Sequence, residues 1–156
     1  MANASAGGYR SGVNALRHIL VGTDFSESSQ AAVDTGRNFA RASGAKLTLL
    51  HVCSPGVQAL GAAGMEEGMA IGRSVHEALA ALKDRLTGVA ESHVDLVMSP
   101  SPAAAIVDYA AANGVDLVIV GSHGLEGAGR FLLGSVAERV MRHAPCSVLV
   151  ARAGAA

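Results

Sequence analysis

Short unbroken apolar runs alternate along this chain with longer stretches in which apolar residues recur at three-and-four spacing. The runs read as strands and the periodic stretches as helices. His18-Ile19-Leu20-Val21-Gly22-Thr23 is the first strand. A helix follows, with Val33, Gly36 and Ala40 on one face; Asp24 or Ser26 can cap its start and Gly44 its end. Lys46 to Val52 is the second strand. Residues 53–64, rich in Gly, Ala and Pro, read as a loop. Met65, Met69, Gly72, Val75, Leu79, Leu82 and Leu86 then mark a long amphipathic helix. Its stripe reads as core-facing rather than as a partner-binding surface.

Val94 to Met98 is the third strand. Ser101-Pro102 supplies an N-cap and first-turn proline for the next helix, and Asn113-Gly114 its stop. Val115 to Val120 is the fourth and most apolar strand. The last helix runs from about Gly134 to His143 with Pro145 behind it, and Ser147 to Ala151 is the last strand. Strands that are apolar without alternation are buried on both faces. The βαβαβαβαβ order therefore predicts an α/β fold, an open five-stranded parallel sheet with helices on both faces. Right-handed crossovers bring every strand-to-helix connection to one edge. Ligands in such sheets bind there, where the strand order reverses. Segments 22–26, 53–64, 99–101 and 121–134 are the places to inspect. Residues 1–16, small and polar, read as a flexible N-terminal tail, and residues 17–156 as a single domain.

Composition narrows the function classes. Half of the 156 residues are hydrophobic, enough to bury a core without disulfides. A net charge of -1 gives no electrostatic pull toward nucleic acid or acidic lipid, and two Tyr, three Phe and no Trp make no base-stacking platform. Cys53 and Cys146 match no metal or redox spacing and read as reduced thiols. The stretch from Met1 to Gly12 lacks the apolar centre of a signal peptide, and no window approaches the roughly 18 apolar residues of a membrane helix. A cytoplasmic location is the expectation. The histidines at 18, 51, 76, 93, 123 and 143 show no ligand spacing on one element, so no metal site is expected. Nor do paired carboxylates or a nucleophile elbow occur.

The segment after the fourth strand carries the candidate chemistry. Gly121, Gly124, Gly127 and Gly129 precede Gly134-Ser135, with Arg130 the only cation among them. A glycine-rich connection entering a helix offers backbone N–H groups and the positive end of a helix dipole, which together bind phosphate. A plain turn would also contain glycines, and spacing alone leaves both readings open. Arg130 and Phe131 stand where a P-loop needs Lys and then Ser or Thr, so that motif is absent. The dinucleotide fingerprint fails for want of its third glycine. No Ser-Gly-Gly-x-Asp-Ser stretch follows the first strand, as an adenylating pyrophosphatase would show.

Gly121-x2-Gly124-x9-Gly134-Ser135 resembles the ATP-binding pattern of the universal stress proteins. The resemblance spans residues 17–152 and includes Thr23-Asp24-Phe25-Ser26, Leu49-Leu50-His51-Val52, and Gly134 to Glu138 leading into Cys146 to Val150. It implies a Rossmann-like, adenine nucleotide hydrolase-like fold. It also implies an ATP-binding regulatory or sensor protein of the stress response, with Mg²⁺ or Mn²⁺ as an accompanying ion and an unidentified protein partner. Asp24, after Thr23, would bond the ribose hydroxyls, although helix capping is the alternative role for it. Val52 and Val120 would flank adenine. Gly121, His123, Gly124, Gly134, Ser135 and Val136 would line the ribose or phosphates, with Arg130 either screening the terminal phosphate or only decorating the segment. Dimeric relatives pair the strand matching Ser147 to Ala151 across a two-fold axis, which implies a homodimer. Two departures stand out: Gly22 and Ser147 occupy positions where many relatives have proline. A slow ATPase or self-phosphorylating enzyme using Ser122 or Ser135 is the competing reading, and a dimeric stress protein without nucleotide the third.

Overall fold

The computed structural model of the chain describes residues 16–53, 62–123 and 133–154. Its elements are β1 (His18–Thr23), α1 (Glu27–Ser43), β2 (Lys46–Cys53), α2 (Ala62–Asp84), β3 (Ser92–Met98), α3 (Pro102–Ala112), β4 (Leu117–Gly121), α4 (Ser135–His143) and β5 (Ser147–Ala151). The five strands form one parallel sheet in the order β3-β2-β1-β4-β5. The expected fold class is therefore the observed one. The order reverses between β1 and β4, which sit side by side with Ile19, Leu20 and Val21 opposite Leu117, Val118 and Ile119.

Successive strand side chains point to opposite faces, and two core layers follow from that period of two. Ile19, Val21, Leu47, Leu49, Leu117 and Ile119 pack against Ala32, Val33 and Ala40 of α1 and Leu82 of α2. Leu20, Leu50, Val118 and Val120 pack on the other face against Ile106 and Ala110 of α3 and Val140 of α4. Full burial of each such aliphatic side chain stabilises the fold by about 1.5–3 kcal/mol. Gly36 brings α1 close to the sheet: a Cβ there would lie 2.6 Å from Val21 Cγ2.

Local signals set the helix ends. Ser26 caps α1 by accepting the Ser29 N–H at 3.3 Å, and Gly44 ends it at φ 73°, a left-handed position suited to glycine. Ser101 caps α3 with Pro102 in its first turn. Ser26 thus takes the capping role for which Asp24 also competed.

Four details differ from the sequence reading. α2 begins at Ala62, within the stretch read as loop, because small alanines extend the helix as readily as they fill a turn. β3 begins at Ser92, where it meets Leu47 of β2. β3 also alternates half-buried and exposed residues, leaving Leu96 and Met98 exposed, because an outer strand has a neighbour on one side only. β4 starts at Leu117, not Val115. The Asp116 carboxylate turns back to accept the N–H groups of Arg17 and His18, both at 2.9 Å, and ends the approach to the strand. Among the described residues no helix is long and apolar enough to cross a membrane. Of the residues read as a tail, 1–15 lie outside the described ones.

Candidate functional site

At the carboxyl ends of β1 and β4, where the strand order reverses, lies a cavity of about 560 Å³. That volume is in the range of small-molecule sites. Thr23, Asp24, Val52, Val120, Gly121, His123, Gly134, Ser135 and Val136 all line it. Gly124 and Arg130 lie outside the described residues. Gly22, Pro102, Ile106 and Leu133 also line it, and sequence reasoning did not single them out as site residues. Pro102 and Ile106 could have been found from the connection at 99–101, which leads their helix to the same sheet edge.

One wall is apolar. Val52 and Val120 come from β2 and β4, and Ile106 from α3 closes over them. Gly22 belongs to β1 itself, paired with Leu50, and a Cβ there would reach 2.9 Å from Ile106 Cδ1. Its missing side chain leaves room on the cavity floor.

The second wall is the turn from β1 into α1. Asp24 Oδ1 accepts the Ser26 N–H at 3.0 Å and the Ser26 hydroxyl at 2.5 Å, which fixes the half-buried carboxylate on the cavity rim. Phe25 adopts φ 66°, a left-handed conformation that costs a non-glycine residue about 1 kcal/mol or more. Its N–H donates to Thr23 Oγ1 at 3.2 Å, and its ring lies 4.6 Å from that of His51. His51 Nδ1 in turn lies 2.8 Å from the Thr23 carbonyl oxygen. β2 therefore braces the strained turn that presents Asp24.

The third wall is polar and comes from both ends of the glycine-rich segment. The Gly134 N–H donates to the Ser122 carbonyl at 2.7 Å, which brings the start of α4 onto the end of β4. Gly134 is the N-cap of α4 and supplies no side-chain cap. The first-turn N–H groups of Ser135, Val136 and Ala137 have no intrahelical acceptor, and all three residues line the cavity. That end of the helix carries partial positive charge. His123 adds a further polar atom: Nδ1 lies 2.9 Å from Ser122 Oγ, while Nε2 is buried without a hydrogen-bond partner among the described residues. When Ser122 donates to Nδ1, Nε2 bears the proton and can donate to a ligand; the imidazolium presents the same donor. A buried unsatisfied polar atom costs about 1–3 kcal/mol, and a bound anion would relieve it.

An open parallel sheet with a cavity at its order reversal and an uncapped helix start on the rim defines a doubly wound α/β protein, the class that receives ligands at this edge. Comparison with known proteins makes the assignment specific. The model of the universal stress protein family matches residues 15–152, and the chain belongs to that family. A universal stress protein of Thermus aquaticus is 33% identical over 137 residues, covering 88% of this chain and 99% of its own length. The solved structure of hypothetical protein MJ0577 superimposes with a TM-score of 0.81 at 28% identity, covering 91% of this chain and 99% of that one. A universal stress protein solved in complex with cAMP gives a TM-score of 0.67 at 28% identity, with 90% and 99% covered.

Proposed function

We propose that this protein binds an adenine nucleotide, ATP in the first instance, in the cavity between β1 and β4, and that it acts as a regulatory or sensor protein of the stress response. The observation that carries the reading is the division of the cavity. Apolar residues Val52, Val120 and Ile106 suit a base, and the Asp24 carboxylate suits ribose hydroxyls. The open first turn of α4 with His123 Nε2 suits phosphate. The family member holding cAMP, which is 28% identical to this chain, supports the ligand class. Gly121 and Gly124 belong to the same reading, the first at the end of β4. Arg130 is assigned to screening the terminal phosphate. Mg²⁺ or Mn²⁺ belongs to this reading as the ion that accompanies the triphosphate; among the described residues no group of three His, Cys, Asp or Glu side chains could hold a metal ion.

The test is direct. Purified protein is heated, the supernatant is examined for released nucleotide, and the emptied protein is titrated calorimetrically with ATP. Bound adenine nucleotide, or a dissociation constant below millimolar, supports the reading; neither signal sinks it. Gly134→Val should abolish binding while preserving the far-UV spectrum, because its side chain would stand at the helix start where phosphate is placed.

The same reading includes a homodimer through β5. This strand is an outer strand of the sheet, and its Val148, Leu149 and Val150 are half-buried within one chain. An apolar edge is a template for pairing, and sedimentation equilibrium measures the association.

A further inference from the structure

Ser28 stands in the first turn of α1, yet its hydroxyl meets the chain again at the end of β4. It donates to the His123 carbonyl and accepts the His123 N–H at 3.3 Å. Ser26 Oγ also lies 3.4 Å from that carbonyl, but its single proton goes to Asp24 Oδ1 at 2.5 Å, so Ser28 is the donor. Gly121 makes the approach possible, since a Cβ there would lie 2.7 Å from both the carbonyl carbon and the hydroxyl oxygen of Ser28. Ser28 is itself buried, at 7% exposure, and water does not compete freely for the contact.

The neighbouring residue is held as firmly. Ser122 donates its N–H to the Ala151 carbonyl and accepts the Gly134 N–H, both at 2.7 Å. All four backbone polar groups of Ser122 and His123 are thereby committed within the protein. Neither residue has a backbone N–H left for phosphate, so among the described residues the polar wall acts through the His123 ring and the first turn of α4. Both are hung on this pinned dipeptide: the ring directly, the helix through Gly134. Two of the four bonds that pin it run to a side chain of the opposite wall, and the Ser28 hydroxyl makes both.

We propose that Ser28 is a positioning residue for the phosphate end of the nucleotide site, clamping His123 so that its Nε2 and the start of α4 face the ligand at fixed separation. This rests on the nucleotide reading given above. Without the clamp, the His123 carbonyl and N–H lose their partner, and the dipeptide has to be ordered again when ligand binds, at a cost to affinity. The apolar wall of Val52, Val120 and Ile106 uses none of these bonds. The loss should therefore depend on the phosphates of the ligand.

The test compares ATP with adenosine by calorimetry on the full chain, in wild type, Ser28→Ala and Ser28→Thr, with amide hydrogen exchange followed at His123. Ser28→Ala should weaken ATP about tenfold and adenosine by less than about twofold, and should speed exchange at His123. Ser28→Thr, which keeps the hydroxyl, should restore most of the ATP affinity and the protection. Equal losses for ATP and adenosine would mean a general structural role and overturn the proposal. Unchanged ATP affinity in Ser28→Ala, with wild type binding normally, overturns the proposal alone. Wild type that binds neither probe overturns the nucleotide reading, and the proposal falls with it.

Discussion

An added Cβ at Gly121 would sit 2.7 Å from the Ser28 carbonyl carbon, a contact with backbone that no rotamer change can relieve. The first glycine of the motif is thus required by packing between β4 and α1, whatever it also does for a ligand. Gly121→Ala should force the two elements apart and destabilise the protein by about 1–3 kcal/mol, as overpacking does. In a domain of this size that lowers the melting temperature by about 2–10 °C. Calorimetric melting of the unliganded protein checks it, and a variant that melts like wild type would remove the packing role.

Asp24 has two tasks that separate by ligand. Its carboxylate holds Ser26, and in the proposed complex it also accepts ribose hydroxyls. Asp24→Asn keeps an acceptor for Ser26 but removes the charge. It should weaken adenosine about tenfold or more and leave the melting temperature nearly unchanged. Dideoxyadenosine, without the hydroxyls, should bind wild type and Asp24→Asn alike. Equal losses for both ligands would show that Asp24 acts by shaping the turn and not by touching ribose.

Much of this fold is legible in the sequence because its signals are local. The runs at His18, Lys46 and Leu117 are too apolar to lie anywhere but inside a parallel sheet, and Ser26, Gly44, Ser101 and Pro102 mark helix ends by chemistry acting within one turn. The nine positions of the candidate site that fall in the described residues all reach one cavity, since the parallel order sends every connection to the same edge. Less legible are contacts made by closure. Ser28 reads as an ordinary first-turn serine until α1 lies across β4. Asp116 reads as one polar residue inside the fourth strand until β1 supplies the N–H groups it turns toward. Pro102 reads as a helix start, and only the packing of α3 against Val120 brings it and Ile106 to the cavity wall.

Tyr109 should make stability fall at alkaline pH. Its hydroxyl, half-buried, donates to Asp95, and burial followed by the Asp95 hydrogen bond and charge pushes its pKa up to about 12. The unfolded chain releases this proton near pH 10. Below about pH 10 both states are protonated and the contribution is whole. From there up to about 12 the unfolded state binds fewer protons, so stability declines as pH rises. Urea unfolding across that window should show the decline, and Tyr109→Phe should flatten it. In a Tyr9→Phe background, tyrosinate absorbance reports Tyr109 alone and should rise late.

The two thiols should be slow nucleophiles at neutral pH. Burial pushes the Cys53 pKa up, and burial is also the leading cause of the upward shift at Cys146, where the charge of Asp116 adds to it. Thiolate is the reacting form, so alkylation of either residue should run below the rate of free cysteine at pH 7 and climb with pH. Mass spectrometry after timed alkylation resolves the two sites, and rapid modification of Cys53 at neutral pH would contradict the expectation.

Strand β5 offers the sharpest separation of fold from assembly. The Ala151 carbonyl accepts the Ser122 N–H, so Ala151 turns its backbone groups toward β4. Alternation along the strand then turns those of Leu149 the same way and those of Val148 and Val150 outward, to the open edge. Proline removes one N–H and is tolerated only where that N–H faces away from the sheet. Val148→Pro should keep the fold, leave the proposed nucleotide site intact and break the proposed β5 dimer, sedimenting as a monomer. Leu149→Pro strikes the β4 ladder instead and should cost about 1–3 kcal/mol for the acceptor left unpaired. Dimeric Val148→Pro would place the association elsewhere, with the exposed Leu96 and Met98 of β3 the next surface to substitute.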